Sequence, residues 1–152
     1  MADVVVKIEG LRELEQALAE LPKATAKATL RRTLKKAAGP VRDAWRQNVT
    51  PYRETGHYED SIIEGTKLTR RQSRAAKKEG KAFSETYVGT SDPAALQDEF
   101  GNFRQSARAP GRKAWAETQD GALTTISDDL GNEIEKSRAR LARKAAKLAG
   151  GG

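Results

Sequence analysis

A chain of 152 residues with 37% hydrophobic and 32% charged residues is the size of one domain, but it is short of large apolar side chains. It has no cysteine, which excludes disulfides and thiolate metal sites, and a single histidine. The net charge of +7 points to nucleic acid, an anionic membrane surface or an acidic partner. No stretch approaches the roughly 18 apolar residues of a membrane span. The opening Met1-Ala2-Asp3-Val4-Val5-Val6-Lys7 lacks the basic start and the long apolar run of a signal peptide, so a soluble protein is expected. Many of the hydrophobic residues are alanine. The lean core implies that part of the chain is disordered, that neighbouring subunits complete the core, or both.

Val4, Val6 and Ile8 alternate with Val5, Lys7 and Glu9, the pattern of a strand with one buried face, closed by Gly10. Leu11, Leu14, Leu18 and Leu21 then recur at helical spacing up to Pro22. From about Pro22 to Asn48 a second stripe follows: Leu30, Leu34, Ala37, Val41, Trp45 and Asn48. Lysine and arginine occupy much of the rest of that helix, with Asp43 its only acid. This basic face is either a solvated surface or one that meets DNA or an acidic partner. Gly39-Pro40 predicts a kink between Lys36 and Pro40.

Thr55-Gly56 reads as a turn, and Ser61 to Leu68 as a strand with Ile63 pointing inward. Ala82 to Gly89 reads as its antiparallel partner, with Phe83 and Tyr87 on one face. Between the two strands, residues 67–81 carry Arg70, Arg71, Arg74, Lys77 and Lys78 with Glu79 as the only acid. Such a run repels itself, and its length predicts a basic mobile arm that orders only in an assembly. Ser91-Asp92-Pro93 starts a short helix that Gly101-Asn102 ends. A last helix spans about Arg112 to Ala149 on Leu123, Ile126, Leu130, Ile134, Leu141 and Leu148. Its acids come first and its bases later, which suits the helix dipole and also the meeting of one subunit's acidic half with a neighbour's basic half. Gly121 and Gly131 each weaken it by about 1 kcal/mol relative to alanine and mark places for a bend or break. Gly150-Gly151-Gly152 reads as a frayed tail.

Catalytic chemistry finds little support. His57 follows a turn, without a nucleophile elbow. Glu59-Asp60 and Asp98-Glu99 are sequence neighbours whose side chains diverge, and a two-metal nuclease needs at least three converging acids. No phosphate-binding glycine loop and no zinc spacing are present. The aromatic residues are too scattered for a base-stacking platform. Trp45 and Trp115 fall at apolar helical positions, where core or subunit packing is the default. The chain reads as a non-enzyme with no cofactor and no metal.

Several short phrases stand in a telling order: Ile8-Glu9-Gly10-Leu11, Leu21-Pro22, Thr55-Gly56, Asp60-Ser61-Ile62, Glu99-Phe100-Gly101, then Ala109-Pro110-Gly111 before the last helix. This order resembles the HK97 gp10-like family of tailed-phage neck and tail-completion proteins. The chain departs from the family at His57-Tyr58, where Arg-Leu is common, and at Pro110-Gly111, where Pro-Phe is common. Gly111 leaves the packing there without an aromatic anchor. The resemblance implies a structural virion protein that forms a ring around the DNA channel and joins the head connector to the tail. Implied partners are other copies of itself, the head connector or stopper, and tail terminator or tail-tube proteins, with non-specific contact to genomic DNA. Implied locations are the virion neck or tail, and the host cytoplasm during assembly. A role as tail terminator stays open, as does a free basic DNA-binding protein.

The expected architecture is α+β: one domain over 1–152, a small antiparallel sheet packed on long helices, with the basic loop between two strands. Glu99, Phe100 and Gly101 are expected to form a structural turn near an interface, together with Trp115. Arg70, Arg71, Arg74, Lys77 and Lys78 are expected to engage DNA or a partner.

Overall fold

The computed structural model describes residues 11–52, 54–79 and 84–151. The expected opening strand with Val4, Val6 and Ile8 lies outside the described residues, as does Phe83. Among the described residues the chain is mostly helical with one small sheet: α1 (Leu11–Ala19), α2 (Lys23–Val49), a 3-10 turn (Thr50–Tyr52), α3 (His57–Ser61), β1 (Ile63–Gly65), α4 (Arg70–Glu79), β2 (Tyr87–Gly89), α5 (Ala94–Phe100) and α6 (Pro110–Ala149). The α+β architecture holds, dominated by two long helices.

α2 and α6 form an antiparallel pair, and their contact organises the molecule. The contact line on α2 is made of small side chains: Ala26, Thr29, Thr33, Ala37 and Val41 are buried. Leu30, Leu34, Trp45 and Asn48, expected on the buried stripe with Ala37 and Val41, are only half-buried along its flank. Two helices that touch over many turns approach most closely where side chains are short, and larger ones fit beside the seam. Thr29 Oγ1 and the Ser137 hydroxyl share a buried hydrogen bond of 3.0 Å, and Thr33 Oγ1 donates to the Thr29 carbonyl at 3.2 Å. These bonds satisfy hydroxyls that would otherwise be costly to bury.

Apolar packing lies on either side of that polar seam. Leu21, Ala26, Leu130 and Ile134 form one cluster, with Leu14, Leu18 and Leu30 of α1 and α2 folded over it. Ala37, Val41 and Ala122 form a smaller one, with Val88 and Ile126 against it. Ion pairs run along the edge of the helix pair, Arg32 Nε to Glu133 at 3.0 Å and Lys36 Nζ to Asp129 at 2.5 Å. Hydrogen bonding to Arg32 holds the Glu133 carboxyl below its ordinary value, against the opposing effect of burial.

α2 runs unbroken through Gly39-Pro40, and Pro40 faces solvent. The backbone group it leaves without a donor is therefore on the side that water reaches. α6 likewise continues through Gly121 and Gly131. A Cβ on Gly131 would meet a Leu14 methyl at 3.6 Å, so α1 supports the helix there, while Gly121 borders open space.

Among the described residues the sheet has two strands. β1 pairs antiparallel with β2 in the register Ile63↔Gly89, Glu64↔Val88 and Gly65↔Tyr87. The inward residue is not Ile63, which is 60% exposed. Ile62 is fully buried instead, and its carbonyl accepts from Arg46 Nε and Nη2 at 3.1 and 2.7 Å. Successive strand residues face opposite sides. The side toward α2 goes to Glu64, whose carboxylate accepts from Arg42 Nη1 at 2.8 Å. Burial opposes ionisation of Glu64, but bonds from its own backbone and from Arg42 prevail and lower its pKa.

The segment expected as a loop contains a helix. α4 occupies Arg70–Glu79, and a reciprocal cap starts it: Thr69 N donates to Gln72 Oε1 at 3.0 Å, and Gln72 N donates to Thr69 Oγ1 at 3.3 Å. This is the capping box, readable as Thr-x-x-Gln in Thr69-Arg70-Arg71-Gln72. Repulsion between bases is weak in water, so the cap and the good helix formers that follow prevail locally.

Candidate assembly interface

The chain builds its densest polar network where α5 turns into α6. α5 starts on Asp92, whose Oδ1 accepts from Ala94 N at 2.8 Å. It ends at Gly101, with φ +75° and ψ 175°, a conformation essentially reserved for glycine. A Cβ there would lie 2.7 Å from Ala107 N and 3.0 Å from Gln105 O, both backbone atoms. The loop after it folds back on α5. The Asp98 carbonyl accepts from Arg108 N and Ala109 N, and Asn102 Oδ1 accepts from Arg104 N and Gln105 N.

Glu99 explains why the turn matters. The forty-residue helix α6 begins after Ala109, a residue with no capping oxygen and a left-handed φ of 50°. Glu99 supplies the cap from another element. Its two carboxylate oxygens accept from Gly111 N at 2.9 Å and from Arg112 N at 3.0 Å, and Arg112 Nε adds a third bond at 3.0 Å. Arg112 also donates to the Glu99 carbonyl. A carboxylate on the first free N–H groups of a helix satisfies them and complements the dipole. From the other side, Asn48 Nδ2 donates to the Pro110 carbonyl at 3.1 Å, tying the start of α6 to the end of α2.

Gly111 fits this arrangement. A Cβ at that position would meet the Trp45 ring at 2.9 Å and Glu99 Oε2 at 3.1 Å. The aromatic anchor missing from position 111 is thus supplied from α2 by Trp45, whose Nε1 donates to Tyr58 Oη at 3.2 Å. Burial raises the Tyr58 pKa, and the nearby acids Asp98, Glu99 and Asp92 add to the rise.

Around this rigid turn the surface is apolar. Leu96 and Phe100 lie one turn apart on α5, and both are exposed, as are Phe103 and Trp115. Arg112 stacks over the Phe100 ring with its guanidinium carbon 5.2 Å from the centroid. Trp115, the next turn of α6, borders an open apolar groove of about 340 Å³ between α2, α6 and β2, lined also by Leu34, Trp45, Val88 and Ile126. Four of the six large exposed hydrophobic residues among the described residues belong to this one region. The expected group Glu99, Phe100, Gly101 and Trp115 is therefore brought together at the head of α6. Glu99 and Gly101 build the turn, and Phe100 and Trp115 face outward.

The five expected basic residues are elsewhere, on α4. Its helical backbone places positions 70, 71, 74, 77 and 78 within an arc of about 120°. Arg70, Arg71 and Arg74 are exposed and have no ion pair among the described residues. Ser73, on another side of α4, borders a pocket shared with Lys27 and Arg31 of α2, so the two basic elements are neighbours. Among the described residues no group of three or more His, Asp or Glu is placed to hold a metal ion. His57 is exposed at the start of α3. No described helix is long and apolar enough to cross a membrane.

The head of α6 is thus a fixed turn with exposed apolar side chains around it. The chain belongs to the HK97-gp10-like family, described as "Bacteriophage HK97-gp10, putative tail-component", which matches residues 12–101, more than half of its length. The match closes on Gly101, the glycine that ends α5. No curated protein and no solved structure matches the chain. Membership makes it a phage tail component and so a virion structural protein.

Proposed function

We propose that the protein is a neck or tail-completion component that assembles into a ring around the DNA channel and joins the head connector to the tail. The observation that carries this reading is the apolar surface of Leu96, Phe100, Phe103 and Trp115, mounted on a turn fixed by Glu99 and Gly101. A chain with so few large apolar residues gains by burying them inside its own core. Leaving four of them outside on a rigid frame fits a chain whose neighbours cover them.

The basic face of α4, with Lys27 and Arg31 beside it, is the surface for DNA. It carries charge without a set of base-reading groups, as suits a protein that offsets phosphate charge in a channel without reading sequence. Acidic surfaces on connector or tail-tube proteins are the competing partners for the same face.

The test is light scattering of the purified chain, alone and with head-connector and tail-tube proteins. A closed oligomer, alone or with those partners, supports the reading. A monomer that ignores them and binds DNA with strong salt dependence overturns it in favour of a free DNA-binding protein. Neutralising Arg70, Arg71, Arg74, Lys77 and Lys78 together is expected to leave the fold unchanged and impair joining. Normal infectivity of that variant would remove α4 from the function.

A further inference from the structure

We infer that the last four turns of α6 bear a second DNA-contacting surface, a stripe of five bases that lies along the phosphate backbone. This rests on the reading above, in which the protein contacts channel DNA, and adds a surface separate from α4.

Helical spacing makes the stripe. Lys136, Arg140, Arg143, Lys144 and Lys147 follow one another at intervals of four, three, one and three residues. With a turn of about 100° per residue, all five fall within one arc of about 100° on α6. From position 136 to 149 no other residue falls in that arc, and Leu141 and Leu148 lie outside it. From Lys136 onward α6 carries no acid. All five bases are exposed. Lys136 Nζ donates to Glu133 Oε1 at 3.3 Å, and the other four have no ion pair among the described residues. Arg138, the remaining base of this stretch, lies outside the arc and pairs with Glu20 and Glu135.

The helix itself gains little from this arrangement. Bases three and four residues apart on one face repel each other and weaken the helix. Burial does not compensate, because residues 142–149 are all exposed. The helix dipole favours cations only in the last turn, which holds Lys147 alone among the five. A protein surface is a poor occupant, because the arc offers no apolar or aromatic anchor for an interface core. A phosphate backbone needs only exposed cations. The five charges spread over about 16 Å of helix axis, about 4 Å apart, close to the roughly 3.4 Å of axis per phosphate of one DNA strand.

The stripe also lies at the end of the molecule that carries α4. Ser137 bonds Thr29, and Lys27 and Arg31 flank Thr29 in α2. Ser73 of α4 shares a pocket with those two bases. The stripe thus starts close to the level of α4, whereas Trp115 is 21 residues back from Lys136 on an unbroken helix, about 32 Å. Unpaired bases gather at one end of the α2–α6 pair, and four of the six exposed large apolar side chains at the other. DNA and neighbouring subunits therefore do not compete for one surface.

The experiment follows binding of the full chain to a short mixed-sequence DNA duplex by fluorescence anisotropy over a series of salt concentrations. One variant carries Arg140→Gln, Arg143→Gln, Lys144→Gln and Lys147→Gln. All four sites are exposed, so circular dichroism and light scattering are expected to match the parent. Each lost phosphate contact lowers the slope of log K against log salt by about 0.9, so the slope is expected to fall by about 3 to 4 and low-salt affinity by at least about 10-fold. A second variant, Arg140→Lys with Arg143→Lys, is expected to keep the parent slope, because charge without base reading is what the stripe supplies. A parent that binds DNA with a slope unchanged in the four-residue variant overturns the stripe and leaves the α4 reading standing. Intact DNA binding in that variant with weakened association to head-connector or tail-tube proteins gives the stripe to an acidic protein and also overturns it. A parent that binds no DNA at low salt overturns both DNA surfaces, while its light scattering still decides the ring reading.

Discussion

The two ends of the α2–α6 pair are built in opposite ways. At the head of α6, Glu99, Asn48 and the Asp98 carbonyl fix the backbone through directional hydrogen bonds, and Gly101 allows the turn that aims Glu99. At the other end, Leu130 and Ile134 pack beneath α1, and α6 then continues past its supports into solvent. Directional bonds hold an orientation, whereas apolar burial holds two surfaces together with little directional preference. The first kind holds the end at which Phe100 and Trp115 are exposed.

Substitutions at each end put this difference to the test, and the largest effect belongs to the directional end. Gly101→Ala combines backbone strain with an overlap against the Ala107 and Gln105 backbone, and is expected to cost about 4 kcal/mol in urea unfolding. A cost under about 1 kcal/mol would show that the turn can relax. At the apolar end, Ile134→Ala empties a fully buried site and is expected to cost about 3 kcal/mol by the same measurement. That loss should come with little change in the near-UV signal of Trp45 and Trp115, which lie at the opposite end. A smaller loss, about 1.5 kcal/mol, is expected for Glu99→Ala, because α6 loses the acceptor for its first N–H groups. Unlike Ile134→Ala, this change should raise amide exchange selectively at Gly111 and Arg112.

The smallest effect concerns pH. Hydrogen bonding to Arg32 lowers the folded-state pKa of Glu133, so its contribution is fully present above its ordinary value of 4.5. It is lost as pH falls below 4.5 and through the depressed folded value. Arg32 is partly solvated, so the contribution is under about 1 kcal/mol. The stability gap between the parent and Glu133→Gln should close as pH drops from 5 to 3. A gap that stays constant over that range would mean the carboxylate's charge is not what the pair depends on.

Much of this molecule was legible before folding was considered. Leucine spacing located α1 and α6, Ser91-Asp92-Pro93 located α5, and the order of short motifs pointed to the family. Other features had readable signals that a stronger local impression masked. The basic run 67–81 looked like a repelling loop, yet Thr69 and Gln72 spell out a helix start. Ile62 and Ile63 are adjacent and equally apolar, so periodicity could not choose between them. The choice came from Arg42, whose bond to Glu64 claims the inner side of β1.

The sequence by itself determined α1, α2, α5 and α6, the basic balance and the glycine at 101, because spacing, charge and φ preference are properties of neighbouring residues. Only the tertiary structure decided that Glu99 caps a helix twelve residues away, since its partner N–H groups are lost from view in a linear chain. It likewise decided that small residues, not leucines, form the seam of α2, because α6 must come close enough for Thr29 to reach Ser137.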